Sequence, residues 1–502
     1  MSVFNAFVKS FERCNIISMG FPILMLMPRT IRPHVAMPYD DADIDSILRY
    51  AGKLTGHTLA EVLDVKSGVI GGKGTKGYFG QMVERDYFLI CNNNEAVPDF
   101  EEVGLELKVT PLVRTSQGYR SKERLVLGII DYNKVPEKGF NIFLDKNSHI
   151  LVIFYHWLKD VDVYEYRIQK VVDWIPTKEE LRIIREDWDI IQRYVERGEA
   201  HLISERCTRF LAACTKGVGH GKDMRSQPFS DELAKQRSLS FKPSFMTTLF
   251  YTHPDVNESF FEDGKYGSLF CGEWSPDQSF SEYIVGKLNR FRGLSCAEIE
   301  RKLGMELDDG PYQYYNILSM AMLGVTGRKH IKELDEAGIL MKTIRILLNG
   351  TPKECMSFPA FNPDGMSRQQ WESSDFLEQL DHEFLFPVFG FVTKDPKTEA
   401  RKDLIFRGAF LWSISDDDLD IVRGVWEDTK MKLSENRTDF IKISDRRIAH
   451  VRPHDTRKRY DEAGREITGK CFWLNSQYIK GVVKEGLNGT ADGNTLKDRN
   501  NR

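Results

Sequence analysis

Residues 98–110 read PDFEEVGLELKVT. A Pro-Asp turn runs into a segment with strand character, Leu105–Thr110, and alternate side chains of a strand share a face. Glu106 and Lys108 therefore point one way, and Leu105, Leu107 and Val109 the other. Asp99, at the end of the preceding segment, can swing in beside them. Two carboxylates converging on one spot make a hard-oxygen site suited to Mg2+. A cation there can polarise a phosphate and lower the pKa of a water, and a lysine can orient that water and offset charge developing on the phosphate oxygens. A solvated strand face also carries Glu/Lys pairs, so the motif is read together with its surroundings.

Working outward, the neighbouring segments read as mixed α/β. Helical spacing covers 43–54 and 78–88, with a short Thr-capped helix at 58–63 between them. Glu84 rides on the second of these helices. Strand signals follow at 125–130 and 149–157, and Lys146 stands just before the latter. Residues 178–199 form a charged amphipathic helix. The loop 71–77 (GGKGTKG) is glycine-rich, but it lacks the GxxxxGK[ST] spacing of a P-loop.

Composition bounds the function. The 502 residues are 41% hydrophobic and 29% charged, which permits packed cores in several domains. A net charge of −4 excludes a polycation but leaves room for a local basic cleft. The eight cysteines form no CxxC pair, which fits a reducing cytoplasm and speaks against a zinc ribbon. No run reaches the ~20 apolar residues that span a bilayer. Fold signals start after Met37, so 1–36 reads as an extension. A catalytic domain is expected over 37–250, a linker over 251–280, a second domain over 281–485 and a flexible tail over 486–502.

The second half echoes the first. Residues 56–63 match 293–300, 103–110 match 337–344, 185–193 match 423–431, and 239–248 match 471–480, in the same order. Gly104 aligns with Gly338 and Lys108 with Lys342, but Glu106 falls on Leu340, Asp99 on Glu333 and Glu84 on Ser319. One fold present twice is expected, the second copy without its acids.

Residues 76–84 (KGYFGQMVE), 99–110 and 185–193, with the run Gly104–Tyr132, resemble the MutH superfamily of GATC-cutting endonucleases, whose fold is of the PD-(D/E)xK restriction-endonuclease type. The resemblance runs from about residue 40 to 485, and a second domain favours the type II restriction-enzyme branch. It implies that Asp99 and Glu106 are metal ligands for Mg2+, that Lys108 is the catalytic lysine, and that Glu84 and Lys146 are further active-site groups. It also places Lys76 near the scissile phosphate and Lys216 on a base-reading loop.

DNA contacts need cations near phosphates and side chains that reach base edges. In the first half 214–242 supplies Lys216, Arg225 and Lys242. In the second, 446–459 supplies Arg452, His454 and Arg457. The expected protein cuts double-stranded DNA at GATC, and its C-terminal copy occupies a second, effector DNA site. Dimerisation on DNA, a companion DNA methyltransferase and the absence of any membrane partner go with that reading. Two alternatives stay open: a MutH-like mismatch-repair nickase, and a non-cleaving DNA-binding protein with a nuclease-like fold.

Overall fold

Glu106–Thr115 (β1) turns back through Gly118–Ser121 (β2), and Leu125–Ile129 (β3) leaves for a second sheet. Ile150–His156 (β4) then returns parallel to β1, with Glu106 opposite Ile150 and Lys108 opposite Val152. Ile168–Trp174 (β5) pairs antiparallel with β4, which gives the order β2-β1-β4-β5. β4 is buried continuously from Ile150 to Tyr155, as expected of a central strand covered on both faces. The computed structural model describes residues 37–64, 77–90, 97–115, 118–216, 223–258, 264–270, 274–310, 313–460 and 466–491. The extension 1–36 and Lys76 lie outside them.

The chain divides into two compact units. One comprises residues up to Leu181, Ile191–Ile203 and Ala213–Glu262. The other comprises Arg182–Ile190, Ser204–Ala212 and everything from Asp263 on.

In the first unit Ile44–Gly52 (α1), Leu59–Leu63 (α2) and Tyr78–Met82 (α3) pack Ile47, Leu59, Phe79 and Met82 against Leu105, Leu107, Leu151 and Ile153 of the sheet. Thr58 starts α2 with a capping box to Glu61. Asn141–Asn147 (α4) leads into β4, and Lys178–Glu196 (α5) starts on a Thr177–Glu180 capping box, its stretch Arg182–Ile190 being counted with the second unit, as is the start of the next strand to Ala212. Leu211–Thr215 (β6), Met224–Gln227 (β7), Ser230–Lys235 (β8) and Arg237–Phe241 (β9) follow, then Pro243–Thr252 (α6). β9 lies between β3 and β6, while β7 and β8 form a separate hairpin.

The second unit opens with a two-residue pairing of Tyr266–Gly267 (β10) and His330–Ile331 (β11). Phe280–Asn289 (α7), Cys296–Leu303 (α8), Tyr314–Met322 (α9) and Lys332–Glu336 (α10) lead to Ile339–Met341 (β12) and Ile344–Ile346 (β13). Met356–Ala360 (β14) belongs to a further sheet. Glu383–Gly390 (β15) pairs in parallel with β12 and β13, and antiparallel with Ile405–Trp412 (β16). Asp416–Ser434 (α11) has the same 19-residue length as α5. Ala449–Tyr460 (β17) and Glu466–Leu474 (β18) form a long hairpin beside β14, and Ser476–Ala491 (α12) ends the described chain. Phe384, Phe386, Trp412, Trp426 and Phe472 lie at the centre of this unit's core.

Three sequence expectations need correction. The helix expected over 78–88 ends as an α-helix at Met82 and continues as a π turn, Val83–Tyr87. Residues 251–280 are not a free linker. Asp255 is buried, its Oδ2 accepting from Thr55 Oγ1 at 2.8 Å and Val171 N at 2.9 Å, so the chain to 258 is sewn into the first unit. From the other end, Phe270 and Trp274 stack 5.1 Å apart within the second unit. The tail expected from 486 is helical as far as Ala491, because the apolar face of α12 continues through Val482, Val483 and Leu487.

At Gly486 α12 packs tightly on Phe410 of β16. A Cβ there would stand 2.3 Å from Cδ2 of the Phe410 ring. Gly486→Ala gains ~1 kcal/mol of helix propensity, but overpacking against a buried ring costs about 1–3 kcal/mol. Net destabilisation is expected in chemical unfolding, with part of it recovered in the Gly486→Ala/Phe410→Leu double variant.

Candidate active site

The loop ahead of β1 closes on itself. Phe100 and Leu105 exchange backbone hydrogen bonds at 3.0 and 3.2 Å, and Gly104 makes the turn at φ +66°. That closure brings Asp99 beside Glu106. The Asp99 N–H donates to Glu106 Oε2 at 3.2 Å, and the Leu107 N–H donates to Asp99 Oδ2 at 3.0 Å. The Glu106 N–H is itself held by the His149 carbonyl at 3.0 Å, at the start of the β1–β4 pairing.

The Glu106 side chain is buried and two lysines meet it. Lys108 pairs with Oε1, and Lys146 Nζ lies 3.4 Å from the same oxygen. The lysine side chains keep 19% and 23% of their exposure, so the cations reach from a water-facing rim to a dry carboxylate. Lys146 sits on the last turn of α4, just before β4. Leu105 and Leu107 go into the core and Val109 packs against it, on the face opposite Glu106 and Lys108.

Burial pushes the Glu106 carboxyl above its ordinary range, and Asp99 adds to this, while Lys108 and Lys146 draw it back. Glu84 feels the same four groups. Burial first, then Asp99, raises its carboxyl to about 7, against the pull of Lys108. The cluster thus holds more carboxylates than cations in a partly dry space.

The π turn presents Glu84. A π turn inserts one residue into a helix and commonly marks a functional site. Here the Phe88 N–H reaches back to the Val83 carbonyl at 3.0 Å. A polar brace holds it: Arg85 grips Asp86 through two hydrogen bonds of 2.6 and 2.9 Å, and buried Tyr164 donates to Asp86 Oδ2 at 2.8 Å. Sequence reasoning missed this brace. Tyr164 lies 78 residues from Asp86, and no local pattern announces the pairing.

No group of three or more His, Cys, Asp or Glu side chains gathers in metal-binding geometry among the described residues. The donors nonetheless suit Mg2+, which keeps several waters and binds through one or two carboxylates plus substrate phosphate. Asp99 Oδ1 has no hydrogen-bond partner among the described residues, and Glu106 stands beside it. Asp99 and Glu106 would hold the ion.

The residues expected to contact DNA are distributed differently. The Lys216 N–H is held by the Gln236 carbonyl at 2.7 Å, at the base of the β7–β8 hairpin. Arg225 is exposed on β7 and bonds to Gln236, and Lys242 caps α6 with its side chain half-buried. Arg452 lies on β17 with its guanidinium 3.9 Å over the Trp473 ring. His454 and Arg457 fall on the same strand, their side chains outside the description.

The family model of the DNA mismatch repair enzyme MutH matches residues 88–187, a span that contains Asp99, Glu106, Lys108 and Lys146 but not Glu84. The chain is 29% identical over 477 residues to the type II restriction enzyme Sau3AI of Staphylococcus aureus, covering 83% of this chain and 94% of that protein. It is 24% identical over 183 residues to the mismatch repair protein MutH of Shewanella woodyi, covering 36% of this chain and 78% of that one. To MutH of Haemophilus influenzae it is 24% identical over 218 residues, 41% of this chain and 96% of that one. The mismatch-repair proteins therefore match a minor part of the chain, and the restriction enzyme matches most of it.

Two outcomes follow from the site. Below pH 4.5 Glu84 is protonated folded or unfolded; from there to about 7 only the folded form keeps the proton, so stability falls as pH rises and the full penalty stands above 7. In EDTA, Glu84→Gln should melt higher than the parent at pH 8, by at most ~3 kcal/mol at 1.36 kcal/mol per pH unit and less where water reaches the carboxyl. The gap should close towards pH 4.5. Secondly, Asp86→Asn should lower kcat by about tenfold, since a misplaced group costs ~1.4 kcal/mol or more, but should have no further effect in a Glu84→Gln background.

Proposed function

We infer that this chain, a member of the MutH superfamily, is a type II restriction endonuclease that hydrolyses both strands of duplex DNA at GATC with Mg2+. The observation that carries this is the closure of Asp99, Lys108 and Lys146 on the buried carboxylate of Glu106, in a chain whose likeness to a restriction enzyme extends through both units. The mismatch-repair nickase is not favoured, because those relatives cover only 34–41% of the chain. A non-cleaving DNA-binding protein would be expected to have lost an acid, and the first unit keeps both.

Bound between Asp99 and Glu106, the cation would supply Lewis-acid polarisation of the scissile phosphate and a water of lowered pKa. The residues do the rest. Lys108, on the strand face beside Glu106, is placed to orient the attacking water and to offset charge on the phosphate oxygens. Lys146 holds the other flank of Glu106, and the Asp99–Leu107 bond keeps the two carboxylates converged. Glu84, raised to about 7, can hold or release a proton near neutral pH.

The second unit is proposed as a second copy of the same fold. Gly56 and Gly293 turn at φ +82° and +88°, and their N–H groups donate to Ile168 and Phe406 carbonyls at 2.9 and 2.8 Å. Capping boxes follow at Thr58–Glu61 and Ser295–Glu298. Gly104 and Gly338 share φ +66°. Each unit then runs a parallel strand pair and an antiparallel partner, after which the chain enters a 19-residue helix.

The acids of this copy do not converge on a metal site. Leu340 replaces Glu106. Glu333 accepts from Ser268 Oγ and from Leu269 N at 2.8 Å, and Ser319 bonds to its own helix at Tyr315 O. The second unit therefore binds an effector DNA without cutting it, through Arg452, His454 and Arg457. In the first, Lys76, Lys216, Arg225 and Lys242 track the substrate. Among the described residues no helix is long and apolar enough to cross a membrane. Action in the cytoplasm, dimerisation on DNA and a companion methyltransferase that protects host sites complete the proposal.

Purified protein with unmethylated plasmid and Mg2+ should give discrete fragments with GATC at every sequenced end, and none in EDTA. Asp99→Ala and Glu106→Ala should each lower cutting by at least ~10³-fold, about 4 kcal/mol of lost stabilisation, while gel-shift affinity for the same duplex is kept. Cutting retained in both variants would remove the assignment.

A further inference from the structure

Lys342 stands two residues beyond Leu340, as Lys108 stands two beyond Glu106. It sits in the break between β12 and β13, its N–H on the Leu385 carbonyl at 2.9 Å. Among the described residues no carboxylate meets it. Its Nζ donates to the Ser357 carbonyl at 2.8 Å and lies 4.8 and 5.8 Å from the ring centres of Phe358 and Phe384. An ammonium carries three donors, and among the described residues one is used. Burial draws the amine down to about 8. A cation held dry with no opposite charge is costly, and an apolar side chain of the same length would fit a purely structural role at less cost.

Other basic groups gather nearby. The β17–β18 register sets Arg452 opposite Cys471 and His450 opposite Trp473. Both Lys342 and Arg452 act on the Cys471 thiol, and Arg452 acts on His450. Arg452 has no ion-pair partner among the described residues, and its guanidinium is carried on the Trp473 ring. His450 is fully buried, and neither ring nitrogen has a hydrogen-bond partner among the described residues. A lysine, an arginine and an imidazole therefore share one region of the second unit, and among the described residues no carboxylate pairs with Lys342 or Arg452. A tetrahedral oxyanion supplies what is lacking: negative charge, and several acceptors that can take ammonium and guanidinium donors together.

We propose that Lys342 and Arg452 form a phosphate seat in the second unit, at the position the catalytic lysine holds in the first, and that effector DNA lays a phosphodiester on it. The inference rests on the reading of the second unit as a DNA-binding copy and adds the place where the duplex sits. The lost acids removed the metal, and the retained lysine now binds phosphate without hydrolysing it.

The test is titration of the full-length chain, in EDTA, with a fluorescent GATC duplex over a series of NaCl concentrations. The parent should bind two duplexes per chain. Lys342→Met should weaken the second event at least tenfold and reduce its log–log salt slope by about one, the amount of one phosphate contact. Lys342→Arg, which keeps the charge, should stay within threefold of the parent. Should Lys342→Met fold poorly, Arg452→Gln on the hairpin must show the same loss. An unchanged second event and slope in both neutral variants overturns the seat.

A parent that binds only one duplex overturns the DNA reading of the second unit together with the seat. A parent that binds no duplex and cuts no plasmid overturns the nuclease reading itself. Inorganic phosphate forms the second arm. If it raises the melting temperature of the parent but not of Lys342→Met, while duplex binding is equal in the two, the seat takes a free anion and the DNA assignment falls.

Discussion

The buried carboxylate of Glu106 is the constraint on which the first unit depends. A carboxylate taken out of water is tolerable only if cations and hydrogen-bond donors reach it. Lys108 comes from the same strand face, Lys146 from the end of α4, and the Asp99 amide from a loop closed by the Phe100–Leu105 bridge. Lys146 meets Glu106 because β1 lies parallel to β4, the strand that α4 leads into, with Glu106 opposite Ile150. A one-residue slip of that register would turn Glu106 and Lys108 into the core and Leu107 towards Lys146. The apolar face of β1 therefore sets the geometry of the polar one.

If the second unit is the further copy proposed above, the same separation lets it keep the frame without the acids. Its core of Phe384, Phe386, Trp412 and Trp426 does not include Leu340, which only packs against the edge, or Lys342. Left-handed glycines, capping boxes and long helices hold the frame, and these features are indifferent to what the equivalent of Glu106 is. Removing the acid also removes the counter-charge of the lysine. That leaves Lys342 on a carbonyl and two rings, an arrangement suited to an anion brought from outside.

Within the first unit, reactivity is built from excess. Glu84, Asp99 and Glu106 face two lysines in a partly dry pocket, so the carboxyls of Glu84 and Glu106 sit above their ordinary range. A divalent cation would relieve that excess, and its binding would then be coupled to the charge state of the whole cluster. Glu84 contributes to it because a π turn, rather than a regular helix, presents it, and the Arg85–Asp86–Tyr164 brace sets the turn.

The sequence by itself determined whatever rests on neighbours a few residues apart. Alternation along 105–109 already separated Glu106 and Lys108 from the leucines, and Thr58 already marked a helix start. The tertiary structure decided what rests on residues far apart in the chain. It placed Lys146 on a helix end aimed at Glu106, converted the end of the 78–88 helix into a π turn held by Tyr164, built 251–258 into the first unit through Asp255, and carried α12 past residue 486 against Phe410. Strand and cap signals are local because a side chain's direction follows from its own backbone. Burial and charge pairing are not, because they depend on which distant segments the packed core brings within a few ångströms.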